Sequence, residues 1–401
     1  MLTNRQIFLQ NLGQTSSSPL MLEIVRAEGV FMYGPSGEKY LDLISGVSVS
    51  NTGHRHPEVV RAVKEQVDAY MHLMVYGEII QTPQVMYAEY LAKHLPDNLS
   101  CCYFVNSGSE AVEGALKLAR RFTSRSRIVS FRNSYHGSTF GALSVQGSER
   151  FRGAFRPLLP DSFQTTFNDY NALDLINERT ACVILEPVQA EAGIIFPAEG
   201  FLEKVREKCT ETKSLLIFDE IQTGFGRLGY MFALDRFKVI PDILLLAKAL
   251  GGGMPLGAFI SSGEIMSSLM TNPSLGHITT FGGHPVCCAA GLASMKVLAD
   301  ENLIEQCLEK SLHFRRQLRH ELIKEVRGEG LMLAVQLEGP EYIRYAVARA
   351  PEYGLILDYF LFRDDSFRIS PPLTISKEEI SWACRQIGNL LDDTAKNAVV
   401  R

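Results

Sequence analysis

The chain has 401 residues, of which 46% are hydrophobic and 21% are charged, which is typical of a globular enzyme with one large core and a smaller domain. Its formal net charge of −5 argues against a basic surface that would bind nucleic acid. No apolar run reaches the roughly 18 to 20 residues that span a bilayer, so we expect neither a nucleic-acid nor a membrane partner.

The N-terminus and the cysteines bear on the cellular compartment. The first ten residues lack the layout of a signal peptide. The eight cysteines form no CxxC pair and several lie in apolar runs, which indicates buried free thiols in a reducing compartment, the cytoplasm. The nine histidines show no metal-ligand spacing, so we expect no metal site.

The N-terminal segment, residues 1–50, is predicted to pack with a small domain at the other end of the chain. Residues 1 to about 20 are polar and predict a loose arm. Residues 23–43 alternate around the turn Gly34-Pro35-Ser36-Gly37, which predicts a small antiparallel meander. Pro57 then opens a helix.

Residues 51–298 are predicted to form the large domain. Strand-like and helix-like segments alternate here, which is the pattern of an α/β, doubly wound, mostly parallel sheet with helices on both faces. The predicted strands are short and apolar, and they cover residues 101–105, 127–131, 182–186, 215–218, 243–247 and 258–261.

Residues 299–401 are predicted to form the small α+β domain. A long amphipathic helix is expected over residues 301–324, followed by strands at 331–337, 355–357 and 367–370, with a polar turn at Asp364-Asp365. Ser376 and Glu379 form the capping box of a last helix.

Two of the predicted central strands end in residues of opposite charge. The run 215–218 ends at Asp219, and the run 243–247 ends at Lys248. The carboxyl ends of parallel strands open into the crevice where ligands bind, so both side chains are expected to face one pocket. Pyridoxal phosphate needs a lysine amine for its Schiff base and a carboxylate at its pyridine nitrogen. Either residue alone would more often be a structural cap, but together they favour this cofactor.

A phosphate site is predicted at the junction between the first strand of the large domain and the helix that follows it. The strand at 101–105 is followed by the small residues Ser107, Gly108 and Ser109 and then by a helix from Ala111. Free backbone N–H groups and the helix dipole at such a junction bind phosphate. An ordinary helix N-cap uses the same residue types and is commoner.

Three stretches resemble the class III aminotransferases of the ornithine, acetylornithine and GABA type. They are NSGSEAVEGALKLAR at 106–120, FDEIQTGFGRLG at 218–229 and LLAKALGGGMPLGA at 245–258, and the likeness extends from about residue 20 to 390. The resemblance implies the aspartate aminotransferase fold, which is fold-type I, with bound pyridoxal phosphate. It also implies a homodimer with active sites at the subunit interface.

The resemblance assigns the residues that would hold the cofactor. Lys248 corresponds to the Schiff-base lysine that also moves the proton, and Asp219 to the partner of the pyridine nitrogen. The remaining cofactor contacts implied by the family are Gly108 and Ser109 at the phosphate, Tyr135 stacked on the ring, Gln222 at the ring oxygen and Thr280 at the phosphate of the neighbouring subunit. Without the resemblance, Tyr135 would be interpreted as a half-buried core tyrosine.

The resemblance also assigns a substrate clamp. Arg368 corresponds to the arginine that holds a substrate carboxylate, for which a planar guanidinium is well suited. Glu191 corresponds to a glutamate that covers this arginine when an ω-amine is bound. Two positions depart from the family: Ser138 stands where many members have an arginine for a distal carboxylate, and His284 stands where an asparagine is usual.

The sequence thus predicts a cytoplasmic aminotransferase that moves an amino group, expected to be an ω-amino group, to a 2-oxo acid by double displacement. A racemase or an aminomutase with the same cofactor shares these motifs and stays open. A nucleotide-binding dehydrogenase is disfavoured because no GxGxxG follows an early strand, and a non-catalytic binding protein is disfavoured by the pairing of Lys248 with Asp219.

Overall fold

The computed structural model describes residues 2–75 and 77–398. Its strands β1–β15 are Arg26–Glu28, Phe31–Tyr33, Lys39–Asp42, Cys101–Val105, Arg127–Phe131, Ser162–Thr165, Thr180–Leu185, Leu215–Asp219, Ile243–Leu246, Gly257–Ser261, Glu325–Glu329, Met332–Gln336, Leu355–Ile356, Asp358–Phe360 and Arg363–Ile369. Its helices α1–α14 are Asn4–Asn11, Ser45–Ser48, Pro57–Ala69, Thr82–Ala92, Gly108–Thr123, Phe140–Val145, Glu149–Arg152, Phe201–Thr212, Ala233–Phe237, Gly263–Ser267, Pro285–Asp300, Glu305–Gln317, Pro340–Arg349 and Lys377–Asn397. Across these described residues, no helix combines the length and apolar character needed to cross a membrane.

The largest sheet of the fold has seven strands. Its strand order is β4-β10-β9-β8-β7-β5-β6. The neighbours from β9 to β6 pair in parallel, whereas β10 is antiparallel to both β9 and β4. The predicted α/β sheet is confirmed, and the strand predicted at 258–261 is its antiparallel member. The carboxyl ends of β4, β5, β7, β8 and β9 therefore lie along one edge.

The central strands are buried because helices cover both faces of the sheet. Strands β7, β8 and β9 are buried at every position. Along β8, Leu215 and Ile217 pack in the cluster that contains helix α5, whereas Leu216 and Phe218 pack in the main core with helix α8. Alternate residues thus serve opposite faces, which explains the continuous apolar run in the sequence.

Two four-stranded sheets complete the fold. One has the order β1-β2-β3-β13, in which the antiparallel meander β1–β3 meets β13 in parallel. The other has the order β11-β12-β15-β14 and is antiparallel throughout. Helix α14 packs against α12 and α13. The N-terminal segment therefore shares a sheet with a strand that follows it by more than 300 positions.

Three local predictions were wrong. The arm 1–20 contains helix α1, because Thr3 and Gln6 form a capping box at its start. The helix predicted over 301–324 is shorter: α11 ends at Asp300, α12 spans Glu305–Gln317, and the chain then leaves the helix and buries Leu318 and Leu322 in the core.

The polar turn expected at Asp364-Asp365 is also absent from that place. Both residues belong to strand β15, which begins at Arg363. Asp365 accepts hydrogen bonds from Arg363 Nε at 2.9 Å and from Ser366 Oγ at 2.8 Å. Because these contacts satisfy the carboxylate within the sheet, the acidic pair does not end the strand.

Candidate active site

A cavity of about 490 Å³ lies at the carboxyl edge of the large sheet. Its walls come from the segments that follow β4, β5, β7, β8 and β9. Seven of the predicted site residues line it: Gly108, Ser109, Tyr135, Glu191, Asp219, Gln222 and Lys248. Residues up to 140 positions apart in the chain are therefore brought together in one pocket, as the strand-end argument predicts.

Lys248 follows β9 after one intervening residue, Ala247, and occupies a sharp turn. Its backbone φ is +52°, in the left-handed region that residues other than glycine seldom adopt, and it begins a 3₁₀ turn, Lys248–Gly251. Burial is the main cause that lowers the pKa of its amine, and Arg368 lowers it further. Glu191, Asp219 and Glu186 act in the opposite direction. A lowered pKa increases the fraction of neutral amine, the form that can act as nucleophile or base.

Asp219 ends β8 and is held in place by His136, a contact that was not predicted from the sequence. Asp219 is 3% exposed, and its Oδ2 lies 2.7 Å from His136 Nδ1. Its other oxygen, Oδ1, accepts the backbone N–H of Ile221 at 3.1 Å. The neighbouring tyrosine in Ser134-Tyr135-His136-Gly137 was the only available hint, since this contact joins positions 83 apart in the chain.

The predicted phosphate cradle corresponds to the first turn of α5. The helix begins at Gly108, and Ser107 caps it by accepting the N–H of Glu110 at 3.2 Å. The amides of Gly108 and Ser109 stand in the first turn, where no intrahelical acceptor exists. Gly137 closes over this turn with a φ of +128°, and a Cβ there would lie 2.2 Å from Ser109 Oγ. This close approach explains why the position has no side chain.

A buried ion pair borders the cavity beside Lys248. Arg368 on β15 donates from Nη2 to both oxygens of Glu191, at 3.0 and 2.9 Å. Gln222 Nε2 donates to the same carboxylate at 3.4 Å. The predicted clamp residues are thus in direct contact, and Glu191 covers Arg368 in this conformation.

Ser138 and Thr280 lie outside the cavity lining. Ser138 is exposed; its Oγ is 3.3 Å from the hydroxyl of Tyr135, and its N–H donates to Ser109 Oγ at 3.3 Å. Thr280 is exposed on the segment before α11. His284 is at the N-cap of α11 and stacks on His72, with ring centroids 5.6 Å apart.

Unpartnered polar atoms indicate that the cavity is built for a polar aromatic ligand. Gln222 Oε1 and His136 Nε2 are buried and have no hydrogen-bond partner among the described residues. Together with the free amides at the start of α5, the amine of Lys248 and the carboxylate of Asp219, they offer contacts for a ring, its substituents and a phosphate. The residues present therefore fit pyridoxal phosphate.

Comparison with known proteins gives the family. Residues 12–391 match the family model described as aminotransferase class-III. The acetylornithine aminotransferase of Methanopyrus kandleri is 39% identical over 373 residues, which cover 92% of this chain and 94% of that protein. The ornithine aminotransferase of Brevibacillus brevis is 37% identical, covering 96% and 97% of the two chains.

A solved structure agrees with these sequence relatives. The ornithine aminotransferase of Toxoplasma gondii, whose active site is partially occupied by pyridoxal phosphate, superposes with a TM-score of 0.90 at 29% identity, covering 98% of this chain and 94% of that one. The fold-type I architecture expected from the sequence is confirmed. This chain belongs to the class III aminotransferases, which are enzymes that depend on pyridoxal phosphate.

Proposed function

We propose that this aminotransferase takes the ω-amino group of an amino acid of the ornithine or acetylornithine type and transfers it to a 2-oxo acid. The observation that carries the proposal is the contact between Arg368 and Glu191 beside Lys248. The relatives named acetylornithine and ornithine aminotransferase support the same substrate class.

In this proposal, the same cavity has two states, one for each half-reaction, which differ in whether Glu191 covers Arg368. With Glu191 covering Arg368, the cavity has no free guanidinium beside Lys248, which suits a donor that enters with its uncharged ω-carbon chain first. When Glu191 moves away, Arg368 offers a bidentate site for the carboxylate of a 2-oxo acid. When Glu191 moves away, Asp358, whose Oδ2 lies 3.7 Å from Arg368 Nε, still faces the guanidinium. The carboxylate of the 2-oxo acid would replace the two contacts that Glu191 makes with Nη2, so that a buried charge is not left poorly paired.

The side chains around the cavity have separate tasks in this proposal. When bound, pyridoxal phosphate would supply an aldehyde for the amino group and a protonated ring that withdraws electrons from the substrate carbon. Lys248, with its lowered amine pKa, holds the cofactor and then carries the proton at the substrate carbon. Asp219, oriented by His136, would keep the ring nitrogen protonated, and the amides of Gly108 and Ser109 would bind the phosphate.

We further infer a homodimer in a reducing compartment such as the cytoplasm. Thr280 is exposed and away from its own cavity, as expected of a residue that reaches the phosphate of a second subunit. All eight cysteines are free thiols, and six of them are buried, which supports a reducing environment.

A donor-by-acceptor screen tests the proposed substrate class. The full-length protein with pyridoxal phosphate is incubated with ornithine, N-acetylornithine or GABA as donor and with 2-oxoglutarate or pyruvate as acceptor. We expect an ω-amine donor to be consumed in a one-to-one ratio with a newly formed α-amino acid. Donor conversion that needs no 2-oxo acid would instead indicate a racemase or an aminomutase.

A variant of the clamp separates the two half-reactions. Glu191→Gln removes the charge that covers Arg368 and should raise the KM for the ω-amine donor more than that for the 2-oxo acid. Glu199→Gln, on the exposed surface near the same loop, serves as the matched control and should leave both values unchanged. An equal effect of Glu191→Gln on both substrates would contradict the proposed clamp.

A further inference from the structure

We propose that Glu186 is a positioning residue, whose two carboxylate oxygens fix the backbones of Tyr135 and Ala190 and thereby orient the aromatic face and the Arg368 clamp of the same cavity. Glu186 directly follows β7, lines the cavity and is 5% exposed. The inference rests on the proposed roles of Tyr135 and Arg368.

One oxygen of Glu186 fixes the segment that carries the aromatic ring. Oε1 accepts the backbone N–H of Tyr135 at 2.8 Å. The next residue, His136, is held by Asp219 at the end of the neighbouring strand β8. Two consecutive residues of this loop are therefore anchored by carboxylates at the ends of two adjacent strands, which leaves the Tyr135 ring little freedom to tilt.

The other oxygen fixes the segment that carries the clamp. Oε2 accepts the backbone N–H of Ala190 at 3.0 Å, and Glu191 is the next residue. The same loop closes on itself through two hydrogen bonds between Gln189 and Ile195, at 3.0 and 2.9 Å. Because Glu186 holds the backbone of this loop at Ala190, its position helps to set where Glu191 contacts Arg368.

A side chain with two acceptor atoms is needed at this position because both partners are N–H donors. A glutamine of the same size offers one acceptor, and its amide N–H₂ would face one of the two backbone N–H groups. Burial, followed by the nearby charge of Asp219, raises the pKa of Glu186 to about 8, while the two backbone N–H groups act in the opposite direction. Glu186 lines the cavity and lies close enough to Asp219, Glu191 and Lys248 to interact with their charges, so its two backbone contacts are made at the cavity itself.

The test compares Glu186→Gln with the wild-type holoenzyme in two measurements that do not depend on turnover. The first is the visible circular dichroism per bound pyridoxal phosphate, which reports how the asymmetric site orients the achiral ring. The second is the dissociation constant of the cofactor from the full-length protein. We expect an altered dichroism and a dissociation constant raised about tenfold, since one buried N–H loses its acceptor. The KM for the 2-oxo acid should also rise through the displaced clamp.

Glu220 provides the matched control. It follows β8 as Glu186 follows β7, is fully buried, and accepts the backbone N–H groups of Leu234, at 2.8 Å, and of Ala233. It contacts the start of helix α9 and does not line the cavity. Glu220→Gln should lower the melting temperature while the dichroism per bound cofactor stays at the wild-type value.

The outcomes distinguish this inference from the proposed function. A wild-type protein without a visible absorbance that borohydride bleaches would refute cofactor binding itself. If the wild type binds the cofactor but Glu186→Gln behaves like Glu220→Gln, the positioning role is overturned. Should Glu186→Gln fail to fold, Glu186→Asp keeps both acceptors but is one methylene shorter; wild-type dichroism and cofactor affinity in that variant would overturn the role as well.

Discussion

At the scale of single residues, Lys248 combines a constrained backbone with a buried amine whose pKa is lowered. Its backbone φ is +52° in the turn after the carboxyl end of β9, and burial lowers the pKa of its amine. Holding the chain in this conformation costs about 1–3 kcal/mol. Such a cost at the end of a central strand is expected where the direction of a reactive group matters more than stability.

Replacing this lysine should abolish the reaction. Lys248→Ala removes both the cofactor tether and the proton carrier, and we expect kcat to fall by at least about 10³-fold, since general acid–base catalysis alone contributes about 10²–10⁴-fold. Steady-state kinetics and the borohydride-sensitive visible absorbance check this. Lys310→Ala is the control, because Lys310 also has a pKa lowered by burial but donates to Leu373 O at 2.6 Å outside the cavity. A Lys248→Ala protein with wild-type rates would refute the assigned role.

Ser138 leads to a prediction about the acceptor. Lys248 is the one lysine or arginine among the described residues that line the cavity, and Ser138 offers a single exposed hydroxyl. We expect Ser138→Arg to raise kcat/KM for 2-oxoglutarate by tenfold or more, because one ionic contact contributes about 1.5–3 kcal/mol. Measuring pyruvate in both proteins controls for general changes. A strong wild-type preference for 2-oxoglutarate over pyruvate would mean that another cation, such as Arg55, already serves the distal carboxylate.

The site residues that could be predicted from the sequence are those that occupy a recognisable local position. Lys248 and Asp219 each end an apolar run, so their place at a strand end follows from pattern alone. The contacts of His136 with Asp219 and of Tyr135 with Glu186 join positions 83 and 51 apart. Such pairs depend on which strands become neighbours, and a single sequence does not contain that information.

At the scale of elements, helix caps show that the start of a helix can be predicted from a local sequence signal. Ser376 Oγ accepts the N–H of Glu379 at 3.1 Å, and Glu379 Oε2 accepts the N–H of Ser376 at 2.8 Å. This capping box starts α14, a 21-residue helix that packs on α12 and α13. The box was predicted correctly because both of its partners lie within four residues.

Removing this cap should lower the global stability. We expect Ser376→Ala to reduce the free energy of unfolding by about 1 kcal/mol in a denaturant titration, with unchanged kcat/KM. Thr3→Ala is the matched control, since Thr3 forms the capping box of α1, a helix with no buried residue. Its loss should leave the global unfolding midpoint unchanged. Equal effects of the two substitutions would show that α1 contributes to the folded core as much as α14.

Element boundaries are less predictable where packing overrides periodicity. The apolar spacing of residues 301–324 suits a continuous helix, yet the chain turns at residues 301–304 and again after Gln317. Four apolar side chains are buried in the main core at these turns, namely Leu303, Ile304, Leu318 and Leu322. Tertiary contacts there replace the contacts that a continuous helix would make. The domain limits near residues 50 and 298 remain a prediction for the same reason, because the main core includes residues from both sides of each limit.

At the scale of the whole molecule, the sheet order decides what the site contains. The sequence predicts parallel strands and a crevice at their carboxyl ends, but not that antiparallel β10 separates β9 from β4. That order places the first turn of α5, which is the predicted phosphate cradle after β4, two strands away from Lys248 after β9. The resemblance to a known family supplied the overall architecture, which the apolar pattern alone would have left among several doubly wound arrangements.

The surface around Thr280 leads to a prediction about assembly. Ile278 and Phe281 lie close to Thr280 in the chain and are 48% and 54% exposed, and the ring of Phe281 lies 4.8 Å from that of His72 on the segment before α4. Large apolar side chains that are exposed together mark an interface more often than a free surface. Most soluble oligomers are symmetric dimers, in which each subunit presents the same patch to the other.

We therefore predict that the active protein is a dimer in which Thr280 completes the partner's phosphate site. Sedimentation should give twice the mass of one chain, and Thr280→Ala should raise the dissociation constant of pyridoxal phosphate about tenfold while the protein stays dimeric, since a phosphate contact is lost and the apolar patch is kept. Thr271→Ala, an exposed threonine on the same connecting segment, should leave the cofactor affinity unchanged. A protein that sediments as a monomer at full activity would contradict the shared site, because its exposed Thr280 lies outside the cavity of its own chain.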